Sequence, residues 1–391
     1  MPIVNRIADF HQDMTAWRHD IHAHPELLYD VHRTAASVAD KLRAFGCDEV
    51  VTGIGRTGVV GVIKGRKDAA GGRVKTIGLR ADMDALPIEE LTNVPYKSTV
   101  PGKMHACGHD GHTAMLLGAT RYLTETRNFA GTAVVIFQPA EEGGGGGRAM
   151  VKDGLMERFA IEEVYGMHNY PGTPVGEFFI RPGPMMAAVD KVDIDIEGVG
   201  GHAAKPHMTV DPILVGAYIV TQLQAIVARN VDPLESAVVS TCVFQAGHTD
   251  NVIPQTAHLK STVRTLTPAM RDFVERRLHE IVEGTARMHG ATARVDYHRN
   301  YPVTVNHPDQ TAFAAAVAAS VVGEARVIDD APPMMAAEDF SFMLEARPGA
   351  FIFVGNGNSA DLHHPAYDFN DEIIPIGASY WAKLVETALP A

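Results

Sequence analysis

Cys107, His109, Glu141, Glu142, His168 and His363 are the residues of this 391-residue chain whose types could do chemistry together. Cys107 and His109 stand two apart, among glycines, in Cys107-Gly108-His109-Asp110-Gly111-His112. Thiolate and imidazole both suit zinc and its neighbours among the divalent ions. Alone the pair is a weak signal, because a solitary cysteine is more often a buried structural thiol. It gains weight from Glu141-Glu142 ahead of Gly143 to Gly147, from His168 after Val164-Tyr165-Gly166-Met167, and from Leu362-His363-His364-Pro365. Each has a bland counterpart: a glutamate pair before glycines is usually a solvated turn, and one histidine among nineteen is usually a surface or core residue. His11, His22, His258, His279, His289 and His298 take that bland reading. The glycine run is no phosphate loop, since no Lys-Ser/Thr follows it.

The chemistry such a set would suit is amide hydrolysis. Two divalent ions roughly 3.5–4 Å apart can share a water and lower its pKa towards about 7. Neighbouring glutamates at a strand end can point in different directions, because side chains alternate there. One then binds metal, while the other takes the proton from the water and passes it to the leaving amine. Glycines after the pair let the backbone turn sharply and run close to the site.

Whether these residues meet depends on the elements that carry them. Ile3, Ile7, Phe10, Met14, Trp17 and Ile21 mark one face of a helix ended by Pro25. A second helix is predicted over about 34–45, with Gly46 as its left-handed stop. Gly58 to Ile63, Val74 to Leu79, Thr132 to Phe137, Glu163 to Met167 and Ala350 to Val354 are short apolar runs that predict strands. A helix over about 113–126, another opened by Glu338-Asp339-Phe340 and a closing one over 376–389 complete an α/β domain on a largely parallel sheet. In such sheets functional groups gather beyond the carboxyl ends of the strands. Asp82 and Asp84, Glu141 and Glu142, and His168 each follow a predicted strand at once, and His363 follows one after a glycine-containing loop.

Between them the character changes. Lys191 to Glu197 alternates as a half-buried strand, and Asp211-Pro212 and Thr267-Pro268 open two helices among four strands. The order β-α-β-β-α-β predicts a ferredoxin-like unit. The expected organisation is a discontinuous catalytic domain, 1–186 with 298–391, interrupted by a lid or dimerisation domain at 187–297, with hinges near Pro182–Pro184 and Tyr297–Pro302.

Bulk properties narrow the classes. The length predicts two domains. A formal charge of −13 argues against nucleic-acid or anionic-membrane partners. No cleavable leader pattern is evident, and no apolar run is expected to reach membrane-spanning length. Three scattered cysteines make no disulfide framework and suit a reducing cytoplasm.

The ordered motifs carry a resemblance: His24-Pro25-Glu26-Leu27, Arg80-Ala81-Asp82-Met83-Asp84-Ala85-Leu86-Pro87, Met104-His105-Ala106-Cys107-Gly108-His109-Asp110, Gln138-Pro139-Ala140-Glu141-Glu142-Gly143, Gly200-Gly201-His202-Ala203-Ala204-Lys205-Pro206-His207, Asn251-Val252-Ile253-Pro254, Ala337-Glu338-Asp339-Phe340 and Leu362-His363-His364-Pro365. The chain resembles the M20 metallopeptidase/amidohydrolase family, in its branch of hippurate hydrolases, N-acyl-amino-acid amidohydrolases and auxin-conjugate hydrolases. The resemblance implies a zinc-peptidase-like catalytic domain binding two divalent ions (Zn, Mn, Co or Ni) through Cys107, His109, Glu142, His168 and His363. It implies Glu141 as general base and then acid, and Asp82 as the residue that orients a ligand or the base, with Asp84 second to it. Arg80 stands where other branches place a histidine ligand, and Cys107 where they place a bridging aspartate. From the inserted domain it implies His202 on the oxyanion and Asn251 and Arg264 on the substrate carboxylate. Met185, Met186, Met334 and Met335 are read mainly as core. The expected activity is cleavage of the amide of small N-acyl or N-aroyl amino acids by a homodimer or homotetramer. The rival readings are an aminopeptidase, dipeptidase or carboxypeptidase on free peptides, and a catalytically idle binding module.

Overall fold

The computed structural model describes residues 3–68 and 74–390. Two compact units emerge, Met1–Met185 with Val305–Pro332 and Asp339–Ala391, and Met186–Thr304 with Pro333–Glu338.

In the larger unit, runs of apolar residues buried on both faces become the middle of an eight-stranded sheet. Its strand order is Glu49–Ile54, Gly58–Lys64, Gly131–Gln138, Lys75–Asp82, Glu163–Pro171, Gly349–Gly357, Phe178–Phe179 and Val327–Ile328. The third to sixth of these run parallel. The margins are antiparallel, except that Val327–Ile328 lies parallel to Phe178–Phe179. Val134, Val135, Ile136 and Phe137 are fully buried. Helix His109–Thr126 is buried along most of its length and packs on helices His11–Ala23 and Ile374–Ala388. Gly46 ends helix His32–Phe45 with φ 86°.

Three differences from the sequence reading bear on the site. The central helix starts at His109 rather than at Thr113, because Gly108 caps it in the left-handed region, φ 91°. His168 lies inside strand Glu163–Pro171, opposite Phe353, rather than after it. Asp339 precedes the short helix Ser341–Ala346 and belongs to the larger unit. The marginal strand Glu49–Ile54 went unread because most of its residues are exposed or half-exposed and show no apolar run.

The smaller unit threads Ala188–Glu197, helix Pro212–Ala225, Ala237–Ala246, Thr256–Thr265, helix Pro268–Met288 and Thr292–Tyr301. Its sheet order, Ala237–Ala246, Thr256–Thr265, Ala188–Glu197, Thr292–Tyr301, is antiparallel throughout. That is the split βαβ topology. Asp211 and Thr267 cap the two helices by accepting the Ile213 and Met270 amides. Strand Thr292–Tyr301 keeps pairing as far as Tyr301 with Val189, so this unit reaches Thr304 rather than residue 297. The expectation about apolar runs needs correction. Pro212–Asn230 is long and apolar enough to cross a membrane by length and composition. It nevertheless packs Val215, Ile219, Leu223 and Ile226 into this unit's core.

Candidate metal centre

The parallel strands deliver their side chains to one edge of the larger sheet. Lys75–Asp82 ends on Asp82, and Gly131–Gln138 runs out into Pro139-Ala140-Glu141-Glu142. The turn that carries the glutamates is tight. Ala140 sits at φ 55°, and Gly146 passes so near Pro139 that an added Cβ would lie 1.6 Å from the Pro139 carbonyl oxygen. Glycine is required there by space. Cys107 and His109 flank Gly108 at the start of the central helix. His363 lies in the loop beyond Gly349–Gly357, at φ 65°, with its amide bound to the Ala106 carbonyl.

The sequence-predicted ligands converge in overlapping sets. Cys107, His109 and His168 can offer ligand atoms all within 4.8 Å of one another, and so can Cys107, Glu142 and His363. Cys107 belongs to both. A further set joins His109, Glu141 and Glu142, which places the expected base beside the ligands. Cys107 Sγ is 3.3 Å from His168 Nε2, and His363 Nε2 is 3.3 Å from Glu142 Oε1.

Neighbours fix the tautomers. His109 Nδ1–H donates to the Asp84 carbonyl at 2.7 Å, and His168 Nδ1–H to the Asn169 carbonyl at 2.6 Å. In each ring Nε2 is the nitrogen turned towards the cluster. Asp84 also accepts the Glu141 and Glu142 amides at 2.9 and 3.2 Å, so its carboxylate holds the glutamate turn and its carbonyl holds His109. Asp82 does something different. It accepts from His112 Nδ1–H at 2.7 Å and from Arg80 at 2.9 Å, while His109 Nε2 is 3.6 Å away. The orienting contacts expected chiefly of Asp82 are therefore made by Asp84. Arg80 is committed to Asp82, Gln138 and Asp339. Asp339 also accepts the Gly147 amide, which ties the glycine run to the strand ends.

The electrostatics fit a cation. Burial, reinforced by Glu142, Glu141 and Asp82, pushes the Cys107 thiol well above its ordinary range. Burial alone would lower His109, but Asp82 and Asp84 outweigh it and raise it to about 10. Burial holds His168 well below its usual value. The Asp84 carboxyl is raised by burial. His109 Nε2 is buried with no hydrogen-bond partner among the described residues, and the buried Glu142 Oε1 faces His363 Nε2 at 3.3 Å. Leaving such a nitrogen unsatisfied is costly, and a divalent ion among thiolate, imidazole and carboxylate would satisfy it. The residues present thus fit divalent metal.

Sequence reasoning gave no role to His112, Asn169 or Tyr367. His112 was within reach of inference, because three residues after His109 on a helix is the same side. Asn169 and Tyr367 carry no local signal. His22 fits the bland reading as a satisfied core histidine, and its partners are charged. It is buried, with Nδ1 2.8 Å from Asp110 in the first turn of the central helix, beside Arg18 and Glu90.

The remaining expected residues are in the smaller unit. His202 is exposed on the two-residue strand Gly201–His202, paired with Val252–Ile253, and its Nδ1 accepts the Ala204 amide at 3.1 Å. The Asn251 carbonyl accepts the Ala203 amide. Arg264 is half-buried in strand Thr256–Thr265. Its Nη1 bonds Thr262 Oγ1 and the Val263 carbonyl, and it makes no ion pair among the described residues.

Comparison with known proteins supplies context. The profile of Peptidase family M20/M25/M40 matches residues 78–387. A hippurate hydrolase of Campylobacter jejuni is 44% identical over 384 residues, covering 98% of both chains. An N-acetylcysteine deacetylase of Bacillus subtilis is 37% identical, covering 97% of this chain and 98% of its own. The crystal structure of a dinuclear metal-binding M20 peptidase from Bacillus subtilis superposes with a TM-score of 0.84 at 34% identity, over 98% of this chain and 99% of that one.

Proposed function

This chain belongs to Peptidase family M20/M25/M40, and on that premise we propose that it is a metal-dependent amidohydrolase of N-acyl amino acids. One observation carries the proposal: two three-residue ligand sets share Cys107, and Glu141 stands with Glu142 and His109 at their side. The hippurate hydrolase and deacetylase relatives support an acyl or aroyl amide as the bond cleaved.

Cys107, His109, Glu142, His168 and His363 would hold a pair of divalent ions, which would polarise the substrate carbonyl and lower the pKa of a bound water towards about 7. The rest falls to the protein. Glu141 removes a proton from the water as its oxygen bonds to the acyl carbon. It then delivers that proton to nitrogen as the C–N bond breaks, releasing a carboxylate and an amino acid. Asp84 keeps Glu141 and Glu142 in place through their amides. His202 is assigned to the oxyanion, which its geometry supports, because Nδ1 is occupied as an acceptor and Nε2–H is the donor. Arg264, with no carboxylate partner among the described residues, and Asn251 are assigned to the substrate's carboxylate. Self-association, as a homodimer or homotetramer, is supported by exposed apolar residues Ile213, Leu214 and Tyr218 on helix Pro212–Ala225.

Glu141→Gln tests the reading. Turnover of benzoylglycine should fall by roughly 10²–10⁴-fold or more, with metal content by elemental analysis unchanged. Undiminished turnover would remove Glu141 as the base. A panel of N-benzoyl and N-acetyl amino acids against dipeptides, assayed with Zn, Mn, Co and Ni, should favour the acyl compounds. Preference for dipeptides would move the chain to the peptidase reading.

A further inference from the structure

Asn169 is fully buried at the end of strand Glu163–Pro171, and every polar group it owns is spent beside the metal residues. Its side-chain amide donates to the Cys107 carbonyl at 2.7 Å and lies 3.0 Å from His112 Nε2. Its Oδ1 accepts from the Tyr367 hydroxyl at 2.7 Å. Its backbone N–H donates to His112 Nε2 at 3.0 Å, and its carbonyl accepts His168 Nδ1–H. Because the Cys107 carbonyl can only accept, the amide has one workable orientation. His112 in turn donates Nδ1–H to Asp82, so its neutral tautomer is fixed from both sides.

The packing is equally tight. A Cβ on Gly108 would lie 2.2 Å from Asn169 Nδ2 and 2.7 Å from the Tyr367 hydroxyl. The turn between Cys107 and His109 is pressed directly against this side chain. One residue therefore holds the peptide that aims the thiol and the carbonyl that sets the His168 ring.

We propose that Asn169 is the positioning residue of this centre, holding Cys107 and His168 as one rigid pair, with Tyr367 and the His112–Asp82 pair as its supports. The inference rests on Cys107 and His168 being metal ligands. An unanchored thiol would leave the two sets free to drift apart, so the effect belongs to metal affinity and ligand geometry more than to folding.

Asn169→Asp keeps the shape but turns an acceptor on the Cys107 carbonyl, and Tyr367→Phe removes one support without a cavity. Both variants and the parent would be titrated with cobalt(II) against a competing chelator. The thiolate-to-cobalt absorption band, thermal melting, kcat and KM would be recorded alongside. Asn169→Asp should weaken cobalt binding roughly 10–100-fold and shift the thiolate band, with Tyr367→Phe in the same direction and smaller. The loss of kcat should exceed any rise in KM. Parent-like affinity and band in folded Asn169→Asp and Tyr367→Phe would overturn the proposal, even if melting fell. If Asn169→Asp fails to fold, Tyr367→Phe alone decides. Cys107→Ser separates the two levels. Loss of the thiolate band in that variant upholds the ligand reading, and an unchanged spectrum would sink that reading and this proposal with it.

Discussion

The two candidate ligand sets that meet at Cys107 are built in opposite ways. Cys107, His109 and His168 are all buried, on a helix start and a central strand, with both imidazoles oriented by backbone carbonyls. Of Cys107, Glu142 and His363, only the thiol is buried. The His363 side chain is 52% exposed, on a loop residue with left-handed backbone. A non-glycine residue at such φ costs of order 1 kcal/mol and persists only where surroundings hold it. The first set is a preformed socket. The second is a socket with a hinged side.

That contrast fails if the two histidines behave alike. His168→Ala should have the largest effect, with no divalent ion retained through dialysis and no measurable hydrolysis of benzoylglycine. One full equivalent of metal left in that variant would break the distinction. His363→Ala should leave one equivalent per chain and an unchanged melting temperature, while turnover falls by more than the roughly 10–100-fold typical of an outer partner. Loss of both equivalents would show the open set to be as essential to retention as the buried one.

The buried side is also anchored by charge, and that anchor titrates. Burial would lower the His22 pKa, but Asp110, with hydrogen bonds to Asp110 and Glu90, outweighs it and raises it to about 9. A raised histidine contributes stability that is complete below about pH 6.5 and lost as pH climbs through 9, on the order of 3 kcal/mol. Burial lowers His105 to about 3, so its contribution runs the other way and is lost as pH falls below about 6.5. Denaturant melts across pH 5–10 should therefore show best stability near pH 6.5. His22→Gln should flatten the alkaline limb, and an identical limb in that variant would refute the anchor. The smallest effect belongs to His364→Ala. Among the described residues that ring accepts the Ala366 amide and makes no other hydrogen bond, so metal content and turnover should match the parent.

The same contrast explains what the residues disclosed in advance. The central sheet was legible because Gly131–Gln138 and Gly349–Gly357 are apolar runs bounded by turn residues. The candidate ligand set was read through ordered motifs, not through any single pattern, and the fold brings its members together. What stayed hidden is long-range. Asp84 looks no different from Asp82 two residues earlier, yet backbone geometry gives the glutamate amides to one and Arg80 with His112 to the other. Asn169 and Tyr367 stand far apart along the chain, and only the fold makes them partners. Marginal strands such as Phe178–Phe179 are too short to show a period.

Sharing Cys107 has a thermodynamic consequence. Any cation taken up with His109 and His168 withdraws charge from the sulfur that Glu142 and His363 would also use. Occupancy of one position then changes the affinity of the other, and by linkage the change is reciprocal. Loading curves should be stepwise rather than those of two independent equal sites, with the enclosed position filling first.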